Sequence, residues 1–102
     1  MGLLNRRTPT DSIEKLEKEV TIINRLGLHA RPAAMFVRVA SKHRCDIWVA
    51  KEGEEISGKS IMGLMMLAAG QGSKLRIRAE GPDAAQALRE IEQLIQSRFN
   101  ED

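Results

Sequence analysis

From Lys74 to Ala79 apolar and charged residues alternate without a break: Leu75, Ile77 and Ala79 stand against Lys74, Arg76 and Arg78. Successive side chains of a strand point to opposite faces, so this segment has one apolar and one solvated face. A sheet of such strands needs cover on one side only. The cover is written in the same chain. Ala33, Phe36, Val37 and Ala40 recur at helical spacing, and Ala84, Ala87, Leu88, Ile91, Leu94 and Ile95 form a second stripe. Both stripes are the apolar faces of amphipathic helices.

The remaining elements fall around these. Val20-Thr21-Ile22-Ile23 is β-branched, closes at Asn24 and reads as a first strand. Asp46 to Lys51 reads as a second strand, and Glu54 to Gly58 as a short third one joined to it through Glu52-Gly53. Pro32 suits the first turn of the first helix, and Pro82 with Asp83 opens the last. Ser60 is placed to cap a short helix over Ile61 to Leu67, punctuated by Gly70 and Gly72. The last helix is expected to fray from Ser97 to Asp102. The order β-α-β-β-α-β-α with one-sided strands gives an α+β class: one four-stranded, mainly antiparallel sheet with three helices on one face. Residues 1–17 read as an N-terminal arm, expected to be flexible, with the domain over 18–102. A short helix through Leu16, capped by Thr10, Asp11 or Ser12, is the alternative there.

Composition narrows the function. The 102 residues suffice for one core. Phe36, Phe99 and Trp48 are the only aromatic residues, so the core rests on aliphatic side chains, and no platform for stacking bases exists. The net charge of +2 is spread along the chain without a basic stripe, and nucleic acid is not an expected partner. A single cysteine, Cys45, fits a reducing compartment and lacks a CxxC partner, so it reads as packing, like Trp48. No apolar run is long enough for a membrane span, Leu3-Leu4 is too short for a secretory signal, and Arg6 stands where myristoylation wants Ser or Thr. A cytoplasmic protein is expected. Nothing marks an oligomer, and a monomer is expected.

The segment Gly27-Leu28-His29-Ala30-Arg31-Pro32-Ala33 carries the chemistry. His29 stands where a loop enters a helix, beside backbone N–H groups without intrahelical partners and the positive end of the dipole. A second positive charge is unfavourable there, which favours a neutral ring with a nucleophilic lone pair. A phosphoryl group on that nitrogen would meet the free N–H groups and the guanidinium of Arg31. Gly27 lets the chain turn tightly enough to expose the ring. The plain alternative is a histidine that only caps the helix. His43, in a Lys-His-Arg run, reads as solvated. No cluster with metal-ligand spacing and no cofactor motif is present, so none is expected.

This string resembles the active-site signature of HPr, the histidine-containing phosphocarrier family of the bacterial phosphoenolpyruvate phosphotransferase system. Gly58-Lys59-Ser60-Ile61-Met62-Gly63-Leu64-Met65 resembles the family's second motif, and Gln71-Gly72-Ser73-Lys74-Leu75 its lead into the last strand. The resemblance implies the HPr-like open-faced β-sandwich. It implies His29 as phosphoryl acceptor through Nδ1, with Arg31 stabilising the phosphoryl group. It implies enzyme I as donor and an enzyme IIA protein or domain as acceptor, and a relay role instead of stand-alone catalysis. Ser60 would be the regulatory serine modified by HPr kinase in some members, or a cap alone. Ala30, Ala34, Ile61, Met62 and Met65 would form the docking face, against a reading of the methionines, Met66 included, as core; Leu64 and Leu67 read as core. Asn24-Arg25-Leu26-Gly27 and the ending Ser97 to Asp102 look like the nitrogen-related branch, NPr. A docking regulator acting through Ser60 without relay is the competing function.

Overall fold

In the computed structural model, which describes residues 14–101, the alternating segment is the strand around which the sheet is built. The strands are β1 (Glu14–Thr21), β2 (Asp46–Lys51), β3 (Glu54–Ser57) and β4 (Lys74–Gly81), in the order β1-β4-β2-β3. All three pairings are antiparallel: Lys18 lies opposite Ile77, Val49 opposite Ile77, and Val49 opposite Ile56. Ile47, Val49, Leu75, Ile77 and Ala79 are buried on the inner face. Helices α1 (Ala30–Ser41), α2 (Ile61–Met66) and α3 (Ala84–Gln96) pack there, burying Ala33, Phe36 and Ala40 from α1, Leu64 from α2, and Ala87, Ile91 and Ile95 from α3. The α+β expectation holds, and the fully antiparallel sheet sharpens it.

The turn between β2 and β3 has positive φ at Glu52 (51°) and Gly53 (88°), the hand that matches the twist of a hairpin. Ser60 Oγ accepts the Gly63 N–H at 2.9 Å and caps α2. At the other end of α2, Lys51 Nζ donates to Leu67 O at 3.1 Å and Ala68 O at 3.3 Å, a cation on the negative end of a short helix. The open face of the sheet carries Trp48 under the Arg78 guanidinium, 5.6 Å from the ring centre, and Arg78 pairs with Glu55 and Glu80. Trp48 therefore packs outside the core, while Cys45 is buried within it.

Three expectations are corrected. The first strand begins at Glu14 and ends at Thr21, so Glu14 to Glu17 of the expected arm belong to the sheet, and no helix runs through Leu16. Its charged residues hid it: Lys18 faces inward to meet Glu92 of α3 at 2.7 Å, and Glu17 pairs with Arg76 at 3.2 Å. Cross-strand hydrogen bonding to β4 supplies what local pattern does not. The candidate caps Thr10, Asp11 and Ser12 lie outside the described residues. The second correction is His43, which is buried with Nε2 3.0 Å from Glu90 Oε1 and Nδ1 3.4 Å from Asp83 Oδ2. The chain after α1 folds back onto α3, where carboxylates replace water.

The third is the C-terminal segment. As far as Glu101 it does not fray: Arg98, Phe99 and Asn100 turn with φ of 59°, 53° and 60°, and Phe99 is fully buried, while Asp102 lies outside the described residues. Burial of a phenyl ring offsets the cost of left-handed backbone. That turn delivers Glu101 to the loop before α1.

Candidate functional site

The loop Asn24 to Leu28 is held from both sides. Gly27 N–H donates to Asn24 O at 3.1 Å, closing a turn, and Asn24 Nδ2 donates back to Gly27 O at 2.8 Å. Leu28 N–H donates to Ala69 O at 2.8 Å, which draws the loop against the segment after α2. Gly27 sits at φ +72°, and a Cβ there would lie 2.5 Å from Ala69 O. Glycine is required on both counts.

His29 is the N-cap residue of α1 in extended backbone, and its carbonyl accepts the Ala33 N–H at 2.9 Å. Its imidazole makes no capping bond. His29 therefore closes the helix start through its backbone alone. Pro32 has no N–H, so Ala30 and Arg31 carry the first-turn donors, and among the described residues neither has an acceptor.

The ring is engaged by one group, Glu101. Nε2 lies 3.0 Å from Glu101 Oε2, while Glu101 Oε1 accepts from Asn24 Nδ2 at 3.2 Å. A carboxylate accepts, so Nε2 carries a proton, and in the neutral tautomer that fits this contact the lone pair lies on Nδ1. Asn24 thus fixes the turn and the carboxylate that fixes the ring. Asn24 Oδ1 is buried without a partner among the described residues.

His29 borders two shallow hollows. One is lined by Leu26, Leu28, Met65, Ala68, Ala69 and Gly70. The other is charged, lined by Arg25, Leu26, Arg31 and Glu101. Arg31 is exposed in the first turn of α1 beside His29. Ala30 is exposed and Ala34 half-buried. Ile61, Met62, Met65 and Met66 are exposed, whereas Leu64 and Leu67 are buried, so α2 divides into a core side and an uncovered apolar side. Met65 reaches the hollow beside His29, joining that uncovered side to the start of α1. Ser60 is half-buried at the far end of α2.

Sequence reasoning missed Glu101, Asn24 and Arg25 as site residues. Glu101 carries no local signal, since 72 residues separate it from His29. Asn24 and Arg25 are close to the motif in sequence, but only the folded turn brings Asn24 to Glu101 and Arg25 to the hollow that His29 borders.

Among the described residues no group of three His, Cys, Asp or Glu side chains could hold a metal ion, and no helix is long and apolar enough to cross a membrane.

Comparison with known proteins agrees with this geometry. A family model described as the PTS HPr component phosphorylation site matches residues 16–97. The phosphocarrier protein HPr of Xylella fastidiosa is 45% identical over 87 residues, which are 85% of this chain and 98% of that protein. The HPr of Pseudomonas aeruginosa is 50% identical over 84 residues, 81% of this chain and 93% of its own. The crystal structure of HPr-C-His from Thermoanaerobacter tengcongensis superposes with a TM-score of 0.83 at 45% identity, covering 85% of this chain and 98% of its own. The open-faced sandwich, the histidine at the start of α1 and these likenesses agree: the chain belongs to the HPr family of phosphocarrier proteins.

Proposed function

We propose that His29 accepts a phosphoryl group at Nδ1 from the phosphohistidine of enzyme I, itself charged by phosphoenolpyruvate, and passes it to a histidine of an enzyme IIA protein or domain. The observation that carries this reading is the Glu101 contact at 3.0 Å, which occupies Nε2 and leaves Nδ1 as the nucleophile beside an uncapped helix start.

The chemistry follows in line. The Nδ1 lone pair attacks phosphorus as the P–N bond of the donor histidine breaks, with charge spread over the phosphoryl oxygens in a loose transition state. The donor ring leaves neutral because it keeps its other ring proton. The His29 ring then carries phosphorus on Nδ1 and hydrogen on Nε2 and is formally cationic. Glu101 Oε2 faces that hydrogen and balances the charge. The phosphoryl oxygens meet the N–H groups of Ala30 and Arg31 and the Arg31 guanidinium. The reverse sequence, with a IIA histidine as nucleophile, discharges the carrier.

Ala30, Ala34, Ile61, Met62 and Met65 form the docking face. Exposed, unbranched methionines suit a surface that must fit donor and acceptor in turn. The carrier is read here as a monomer. A phosphoenolpyruvate-fed donor implies work in the cytoplasm. Ser60 is a candidate for regulation by HPr kinase: a phosphoryl group there would add negative charge beside Ile61 and Met62 and break the cap on Gly63.

Incubation with phosphoenolpyruvate and enzyme I, of sugar type and of nitrogen type in parallel, tests the relay by intact mass. One base-stable, acid-labile phosphoryl adduct is expected on the wild type and none on His29→Ala. The enzyme I type that charges it faster assigns the branch. No adduct with either type overturns the relay and favours a docking regulator.

A further inference from the structure

The turn that precedes His29 brings a second cation to the site. Asn24 to Gly27 is closed by its own backbone bond at 3.1 Å and clamped by the buried Asn24 side chain. Arg25 stands at the first corner of this turn, exposed, and lines the same charged hollow as His29 and Arg31. A clamped corner lets a long side chain be held in place with less loss of backbone freedom. The one carboxylate of that hollow, Glu101, is already engaged by His29 and Asn24.

The charges decide what the second guanidinium is for. With a neutral ring, two guanidinium groups and one carboxylate leave the hollow with a single net positive charge. A phosphoryl group brings about −2 at neutral pH. Because the ring that holds it is formally cationic, the charged state comes out about neutral with Arg25; without it about one unit of negative charge is left to Arg31 and the helix start alone. Two planar donors from residues lining the hollow with His29 also fit the three oxygens of a phosphoryl group better than one.

We infer that Arg25 is a second phosphoryl-binding residue, which holds the group on His29 from the loop side while Arg31 holds it from the helix side. This rests on the reading that His29 is phosphorylated. Arg25 therefore acts on the charged state of the carrier and not on the uncharged one. Its removal shifts the equilibrium with phosphorylated enzyme I toward uncharged carrier.

The test is the ratio of phosphorylated to free carrier at equilibrium with a fixed ratio of phosphorylated to free enzyme I, read by intact mass at low salt. Arg25→Ala and Arg25→Gln are expected to lower the carrier's ratio about fivefold, the scale of an exposed ion pair. Arg25→Lys should keep most of it, Arg25→Glu should lower it further, and molar salt should erase the differences. Thermal melts of the uncharged variants should match the wild type, since Arg25 is exposed. A wild-type ratio in both Arg25→Ala and Arg25→Gln overturns the inference while leaving the His29 relay standing. So does a slower approach to an unchanged ratio, which would make Arg25 a steering residue for enzyme I. Absence of any adduct on the wild type overturns both.

Discussion

Among single residues, the most strongly perturbed carboxyl lies away from His29. Asp83 is the N-cap residue of α3, yet its carboxylate does not cap that helix. It accepts the N–H groups of Arg44 and Cys45 at 2.9 Å each, tying the α1–β2 connection to α3. Burial alone would raise its pKa; the bonds from Arg44 N–H, the Cys45 thiol and Cys45 N–H outweigh it and hold the carboxyl at about 2, from 3.8. A folded pKa below the unfolded one contributes stability that is whole above 3.8 and is lost as the pH falls through about 2. Asp83→Asn should therefore flatten the decline of Tm across that acid window and lower Tm at neutral pH. Parallel Tm-against-pH curves for the two proteins would refute it. The same contact acts on Cys45: burial first, and Asp83 second, push its thiol up to about 11. Cys45 stays a protonated packing residue at neutral pH.

At the scale of elements, the loop into α1 is the part whose geometry the site can least afford to lose. Gly27 combines a left-handed φ of +72° with a Cβ direction that runs into backbone, Ala69 O at 2.5 Å and Gly70 Cα at 2.7 Å. Backbone cannot yield as a flexible side-chain end can. Gly27→Ala should cost about 2–4 kcal/mol of stability in urea unfolding, from the disfavoured φ and the clash together. It should also slow phosphoryl acceptance in protein that is still folded. A loss under 1 kcal/mol would mean that the loop relaxes freely. The elements with clean periods were legible beforehand: β2 covers Asp46–Lys51 as read, and the α3 stripe buries Ala84, Ala87, Ile91 and Ile95. β1 was not, because Lys18, on the helix-covered face, breaks the alternation and pairs with Glu92 across the layer.

Across the whole molecule, the core and the site are coupled through the C-terminal turn. Phe99 is fully buried, and Glu101, two residues on, meets both Asn24 and His29. Phe99→Ala should cost about 3–5 kcal/mol, as expected for a large core truncation. It should also slow phosphoryl transfer at temperatures where the variant remains folded, because Glu101 loses its anchor. Phe99→Leu should recover part of both. Stability lost with an unchanged transfer rate would show that Glu101 finds His29 without the anchor. The second long-range bond of this kind is His43 with Glu90, 47 residues apart, which holds the α1–β2 connection on α3.

The sequence by itself determined the one-sided sheet, the three amphipathic helices, and the placing of His29 and Arg31 at a helix start. These follow from periods of two and 3.6 residues and from a contiguous motif, all readable over a few neighbours. Only the tertiary structure decided that Glu14 to Glu17 join the sheet, that His43 is buried, that the α2 methionines face outward while Leu64 faces in, and that Glu101 sets the tautomer of His29. Each of these turns on a partner distant in the chain. A polar side chain carries no mark of the distant partner it will pair with, and Glu101 none of the histidine it will meet. Such contacts are chosen by the packing of the whole core, which no local pattern contains.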